Sequence, residues 1–155
     1  MKIAFLLYPT QHIKTDEDSS FWILFELLRR GHEVFHFESS ELLWKNGSPH
    51  AFLTRTKLKA PQGFLPSPME KTASDLSKMD CVFIRKEPPF DARYLQALQL
   101  LQLIEDKVFI MNSPRGIALC GEKIFTLAFP KLIPESLVTE DPGTACDFCL
   151  ASNAA

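Results

Sequence analysis

An α/β fold with a mainly parallel sheet and an added β-hairpin follows from three features of the 155-residue sequence. Two continuous apolar runs, residues 3–8 and 81–84, have the length and character of strands buried on both faces. A helix-patterned stretch and a further short strand, residues 33–37, follow the first run and complete a βαβ unit. Asn46-Gly47 then gives the strongest two-residue hairpin signal, because both central residues of that turn need positive φ.

Taken in order, the first strand is closed by Pro9, and a polar loop covers residues 10–18. Asp18, Ser19 and Ser20 offer a choice of N-caps for a helix running to Arg30. Phe21, Leu24, Phe25 and Leu28 supply its i, i+3, i+4, i+7 stripe. Trp22, Ile23 and Leu27 cover much of the remaining circumference and leave Glu26 and Arg29 as the polar face. The helix is therefore expected to be buried on more than one side, within the domain or against a partner subunit. Gly31 stands where a left-handed C-cap is favoured. On the return arm of the hairpin, Thr54 and Thr56 alternate with Arg55 and Lys57, which predicts exposure of one face. Residues 60–69 carry Pro61, Gly63, Pro66 and Pro68 without periodicity and read as a surface loop.

The run beginning at Cys81 changes character within one residue, to Arg85-Lys86-Glu87-Pro88-Pro89. Neither proline can donate to a ladder, and each holds the residue before it extended, so the strand must stop. Asp91 can cap the helix marked by Tyr94, Leu95, Leu98 and Leu101. Arg85, Lys86 and Glu87 thus sit at the C-terminal edge of a strand, where open α/β sheets bind ligands. The plainer reading is a loop with solvated charges. Residues 108–111 read as a fourth strand and Asn112-Ser113-Pro114 as a turn into a helix capped by Ser113. Residues 117–129 read as mostly helical with a break at Cys120-Gly121, and residues 137–139 as a last short strand.

Composition narrows the function classes. An apolar share of 46% is that of a globular rather than a disordered chain. A net charge of -2 leaves no basic footprint for nucleic acid. No apolar run is long enough to span a membrane, and Tyr8-Pro9 breaks what would otherwise pass for a signal-peptide core, so a cytoplasmic location is expected. Cys81 and Cys120 lie among apolar residues and read as core. Cys146 and Cys149 form a single C-x-x-C outside a strand-to-helix setting and lack the second pair a zinc site needs. No G-x-G-x-x-G follows the first strand, which argues against an unrelated dinucleotide-binding protein.

Several segments together resemble the N-terminal part of the prokaryotic glutathione synthetases. These are Asp18-Ser19-Ser20-Phe21 with Arg29-Arg30-Gly31, Thr54-Arg55-Thr56, Arg85-Lys86-Glu87-Pro88-Pro89-Phe90-Asp91, Glu122-Lys123-Ile124-Phe125-Thr126 and Pro134-Glu135-Ser136-Leu137-Val138-Thr139. The resemblance is collinear from Met1 to about Thr139. It implies a Rossmann-like pre-ATP-grasp domain over residues 1–120, the start of a truncated ATP-grasp region over 121–139, and an unmatched tail over 140–155. It also implies the family reaction, in which γ-glutamylcysteine is joined to glycine with ATP and Mg2+ through an acyl-phosphate.

Acyl-phosphate formation brings a carboxylate against an anionic γ-phosphate, so cations must screen both. By the resemblance Lys123 is the nucleotide-binding lysine, a compact charge suited to phosphate. Arg85, Lys86, Ser19 and Ser20 are implied at the substrate or the domain interface, with an ion pair to a neighbouring acid as the alternative for the two cations. No catalytic residue and no metal ligand is assigned within the chain. The segment after Thr139 shows no likeness to the family and reads as the product of a frameshift or early stop, or else as an independent tail. The chain alone is expected to make no glutathione and to bind ATP and Mg2+ little or not at all. Without an ATP-grasp domain, Ile124, Phe125 and Phe129 are expected to lack cover. A homo-oligomer is expected, with no nucleic-acid or membrane partner. The competing class is a non-catalytic binding or assembly module that keeps the fold.

Overall fold

A computed structural model describes residues 1–59, 63–64, 71–121 and 123–152. They fall into two compact units, Met1–Leu119 and Cys120–Ala155.

In the first unit the strands are β1 (Lys2–Leu7), β2 (Glu33–Phe37), β3 (Leu42–Lys45), β4 (Ser48–Arg55), β5 (Leu58–Lys59), β6 (Gly63–Phe64), β7 (Thr72–Asp75), β8 (Cys81–Arg85) and β9 (Phe109–Met111). Helices α1 (Ser19–Arg29), α2 (Ala92–Gln102) and α3 (Pro114–Leu119) connect them. The main sheet runs β3-β4-β2-β1-β8-β9, with β7 also paired to β4. β2, β1, β8 and β9 are mutually parallel, and the hairpin strands add to β2 antiparallel. The α/β class and the added hairpin are therefore as the sequence predicts.

The pleat of β1 divides the core. Ala4 and Leu6 face one cluster with Val82, Ile84, Leu98 and Leu101, on the side covered by α2. Ile3, Phe5 and Leu7 face the other with Phe21, Leu24, Val34 and Cys81, on the side covered by α1. Phe5 also stacks on Phe83, with ring centroids 4.6 Å apart. A strand buried on both faces has no polar register, which is why its sequence is a continuous apolar run.

The local signals act as read. Asp18 caps α1 by accepting from the Ser20 N–H at 2.6 Å, and Asp91 caps α2 by accepting from the Tyr94 N–H at 2.8 Å. Gly31 has φ +80°, and the hairpin turns through Asn46 and Gly47 at φ +52° and +79°. Arg55 and Lys57 are exposed while Thr56 is buried.

Three expectations are corrected. Cys120 is exposed, standing just past the last residue of α3. Residues 137–139 form no strand: no neighbouring strand pairs with them, and Leu137 and Val138 are exposed. Trp22 on α1, turned away from the stripe that meets β1, is 47% exposed within this chain, so burial of that side would need the partner-subunit alternative. The loop expected over residues 60–69 lies mostly outside the described residues, but its described part, β6, pairs with β5 (Leu58↔Phe64, Lys59↔Gly63). In the second unit a 3-10 helix spans Ile124–Ala128, and Ile124, Phe125 and Phe129 are exposed, as expected. In the segment read from sequence as an unmatched tail, a further helix forms, α4 (Pro142–Ala151), capped by Asp141, which accepts from the Thr144 N–H at 2.7 Å.

His36 on β2 is held between Thr56 and Phe64, its Nδ1 2.8 Å from the Thr56 hydroxyl. Burial pushes its pKa down to about 4; the Lys71 charge adds to this and Glu41 opposes it. Below the ordinary histidine value of about 6.5 the unfolded chain takes up a proton that the native state refuses. The His36 contribution is therefore complete above that pH and is lost as pH falls from about 6.5 to about 4. The unfolding free energy from urea titrations is expected to drop over this window by an amount on the order of 2 kcal/mol, and the drop is expected to shrink in His36→Gln. A flat profile in the wild type would show that His36 protonates freely in the native state.

Candidate functional site

The strand order places a switch point between β1 and β8. The chain leaves β1 through α1 on one face and leaves β8 through α2 on the other. The segments after the two adjacent strands diverge and open a crevice at their C-terminal ends, the usual place for a ligand in such sheets. Tyr8 lines it from the end of β1, and Arg85 and Glu87 from the end of β8.

Pleating sends the two cations to opposite faces. Arg85 follows Cys81 and Phe83 to the α1 side, whereas Lys86 follows Val82 and Ile84 to the α2 side. On the α1 side, Arg85 donates through Nε to the Ser20 hydroxyl at 3.0 Å and through Nη2 to the Ser19 hydroxyl at 2.7 Å. Ser20 is buried and Ser19 exposed. Among the described residues Arg85 makes no ion pair, so the alternative of a neighbouring acid is not the arrangement found. Two of its five N–H donors are used, and the others remain free for a carboxylate or phosphate.

Asp18 links the helix cap to this cluster. Burial works against its charge, but hydrogen bonds from the Tyr8 hydroxyl and from Ser20, with the Arg85 charge nearby, hold its carboxyl below the usual range. Tyr8 responds in the opposite sense. Burial, then its bond to Asp18 and the charges of Asp18 and Glu87, push its pKa up to about 12 against the opposing charge of Arg85. Its hydroxyl therefore stays a donor throughout the neutral range. A recess of about 380 Å³ opens here, lined by Tyr8, His12, Lys14, Ser19 and Arg85 among others.

On the α2 side, the Lys86 ammonium sits 4.6 Å from the centre of the Tyr94 ring and donates to the Glu87 carbonyl at 3.2 Å. Tyr94 in turn donates to the Lys86 carbonyl at 3.2 Å. Asn112, at φ +64°, donates to the Ile84 carbonyl at 2.8 Å and ties the ends of β8 and β9 together.

The structure thus brings together Ser19, Ser20 and Arg85, and separates Lys86 from them across the sheet. Lys123 belongs to the second unit. It is exposed at the start of the 3-10 helix, where its carbonyl accepts from the Thr126 N–H at 3.2 Å. Its sequence neighbour Glu122 lies outside the described residues. Sequence reasoning missed the role of Tyr8, read only as a strand end, and took Asp18 only as a cap. A tyrosine hydroxyl ending a buried strand needs a partner, and that was the available signal. Among the described residues no group of three or more His, Cys, Asp or Glu is placed to hold a metal ion.

A family profile described as "Prokaryotic glutathione synthetase, N-terminal domain" matches residues 1–118. Curated relatives named glutathione synthetase are similar over most of the chain. The Mesorhizobium japonicum protein is 34% identical over 142 residues, covering 92% of this chain and 45% of the relative. The Vibrio cholerae protein is 36% identical, covering 90% and 44%. The Nitrosomonas europaea protein is 35% identical, covering 96% and 48%. The chain spans about half the length of the curated relatives it matches.

Asp18→Asn keeps a good helix cap but removes the charge and the strong acceptor beside Tyr8. In a Tyr94→Phe background, where Tyr8 is the remaining tyrosine of two, tyrosinate absorbance is expected to show Tyr8 titrating near 12. Adding Asp18→Asn should bring that value part of the way back towards the ordinary tyrosine value of about 10. An unchanged titration would mean that burial alone sets the Tyr8 pKa.

Proposed function

Because this chain belongs to the prokaryotic glutathione synthetase N-terminal domain family, we propose that it serves as the substrate-binding and assembly domain of an ATP-dependent carboxylate–amine ligase. The reaction proposed for the whole enzyme joins γ-glutamylcysteine to glycine. The observation that carries this reading is the match over residues 1–118, with Arg85 held by Ser19 and Ser20 at the switch point of the sheet.

The chemistry assigned to the chain is binding and positioning. Arg85 is fixed by two hydroxyls, so little side-chain freedom is lost when its free N–H groups meet a substrate carboxylate. Tyr8, kept protonated, spends its one hydroxyl hydrogen on Asp18 and so holds that carboxylate in place beside Arg85. Lys123 is assigned to nucleotide phosphate, where an exposed ammonium can screen developing charge. No residue of the chain is assigned to Mg2+, and no step is derived through it. Self-association is part of the proposal, and the exposed Trp22 on α1 is the surface that favours it. No helix among the described residues is long and apolar enough to cross a membrane. A cytoplasmic location is proposed with the ligase reading.

Two measurements test the assignment. In a complete synthetase carrying this domain, Lys123→Ala is expected to raise KM for ATP by about 10-fold, the value of one charge-assisted contact, with an unchanged Tm. Unchanged ATP kinetics would return Lys123 to the ordinary solvated surface. The 155-residue chain alone, given γ-glutamylcysteine, glycine and Mg-ATP, is expected to form no glutathione, because part of a preorganised site is not proportionally active. Turnover above background would overturn the division of labour proposed here.

A further inference from the structure

A second cavity lies on the α2 face, opposite the Arg85 cluster. It is a groove of about 620 Å³, within the size range of small-molecule sites. Its floor and one wall are apolar: Pro9 from the segment after β1, Leu42 and Leu43 from β3, and Ala97 and Leu100 from α2. Trp44, 50% exposed, stands at its side as a large flat surface that nothing in the unit covers.

Its polar groups are unevenly satisfied. Of the two lining acids, Asp91 accepts from the Tyr94 N–H, and Glu38 takes part in a reciprocal cap with Glu41. Both therefore already neutralise backbone donors. The two lining cations are less engaged. Lys86 contacts a ring and a carbonyl, and Arg93 makes no ion pair among the described residues. Ser39 is also a lining residue, and its hydroxyl is buried without a hydrogen-bond partner among the described residues. A buried hydroxyl left unpaired is costly, and native proteins supply such groups with a partner.

We propose that this groove binds a small organic carboxylate with a flat apolar body, the body against Trp44, Leu42 and Leu100 and the carboxylate received by Arg93, Lys86 and the Ser39 hydroxyl. Cations and an unpaired donor beside an apolar wall complement a ligand of that kind. A bare anion leaves the wall wet, and a neutral apolar ligand leaves the donors unpaired. The site is independent of the ligase reading, and failure of either leaves the other standing.

Trp44 is one of two tryptophans, so the full chain carrying Trp22→Phe has Trp44 as its sole indole. 3-Phenylpropionate is expected to change the fluorescence of this protein saturably. The uncharged isostere 3-phenylpropionamide is expected to bind at least about 5-fold more weakly, and inorganic phosphate is expected to give no saturable change. Arg93→Ala and Ser39→Ala should each raise the Kd for the carboxylate by roughly 3- to 10-fold with an unchanged far-UV spectrum. The comparison of acid with amide needs neither variant, so a folding defect in one of them does not shelter the idea. Equal binding of acid and amide, an equal response to phosphate, or no saturable change up to about 10 mM carboxylate would overturn it.

Discussion

β1 is buried on both faces and paired along both edges, to β2 on one side and β8 on the other. A strand in that position has no direction in which to slip. A shift of one residue would exchange the two apolar faces and break two ladders at once. The register Leu6↔Ile84 and Leu7↔Arg85 fixes where the loops after β1 and β8 emerge. That in turn sets Tyr8 beside Asp18 and brings Arg85 within reach of the first turn of α1. The polar cluster at the sheet edge is a consequence of apolar packing below it.

The same pleat explains how two adjacent cations acquire different surroundings. Arg85 and Lys86 are neighbours in sequence, yet one is tied to serine hydroxyls and the other lies over an aromatic ring. Spacing alone presents them as a pair. Only the parity of β8, counted from the buried Cys81, separates them. The helix caps contribute in a similar way, since Asp18 and Asp91 are occupied with backbone donors and leave the positive groups around them electrostatically prominent.

Much of the fold was legible because the local signals agree with the global arrangement. Apolar runs, Asx caps, Gly31 and Asn46-Gly47 all point to one topology. The errors share a cause. Cys120 and residues 137–139 were judged by apolar composition, but composition does not say whether a partner surface is present to cover them. α4 was overlooked although Asp141-Pro142 is a readable cap and first-turn pair. The Arg85 cluster was half legible: its serines and arginine were named, while the Tyr8–Asp18 link depends on a contact between β1 and the start of α1 that no local pattern encodes. The α2-face groove was not legible at all, since its walls come from three segments far apart in sequence.

β4 divides its hydrogen bonds between two neighbourhoods. Its first part pairs with β3 and β7, whereas Thr54 and Arg55 pair with β2, and the Thr56 N–H that follows reaches the Val34 carbonyl at 2.8 Å. β3 has only β4 beside it, so its amides can open to solvent without disturbing the parallel strands. The amides of β1, enclosed on both edges, can exchange only when the whole unit comes apart. The hairpin carrying Trp44 and the strands carrying Arg85 therefore belong to different exchange classes, the first labelled by local breathing and the second by global unfolding.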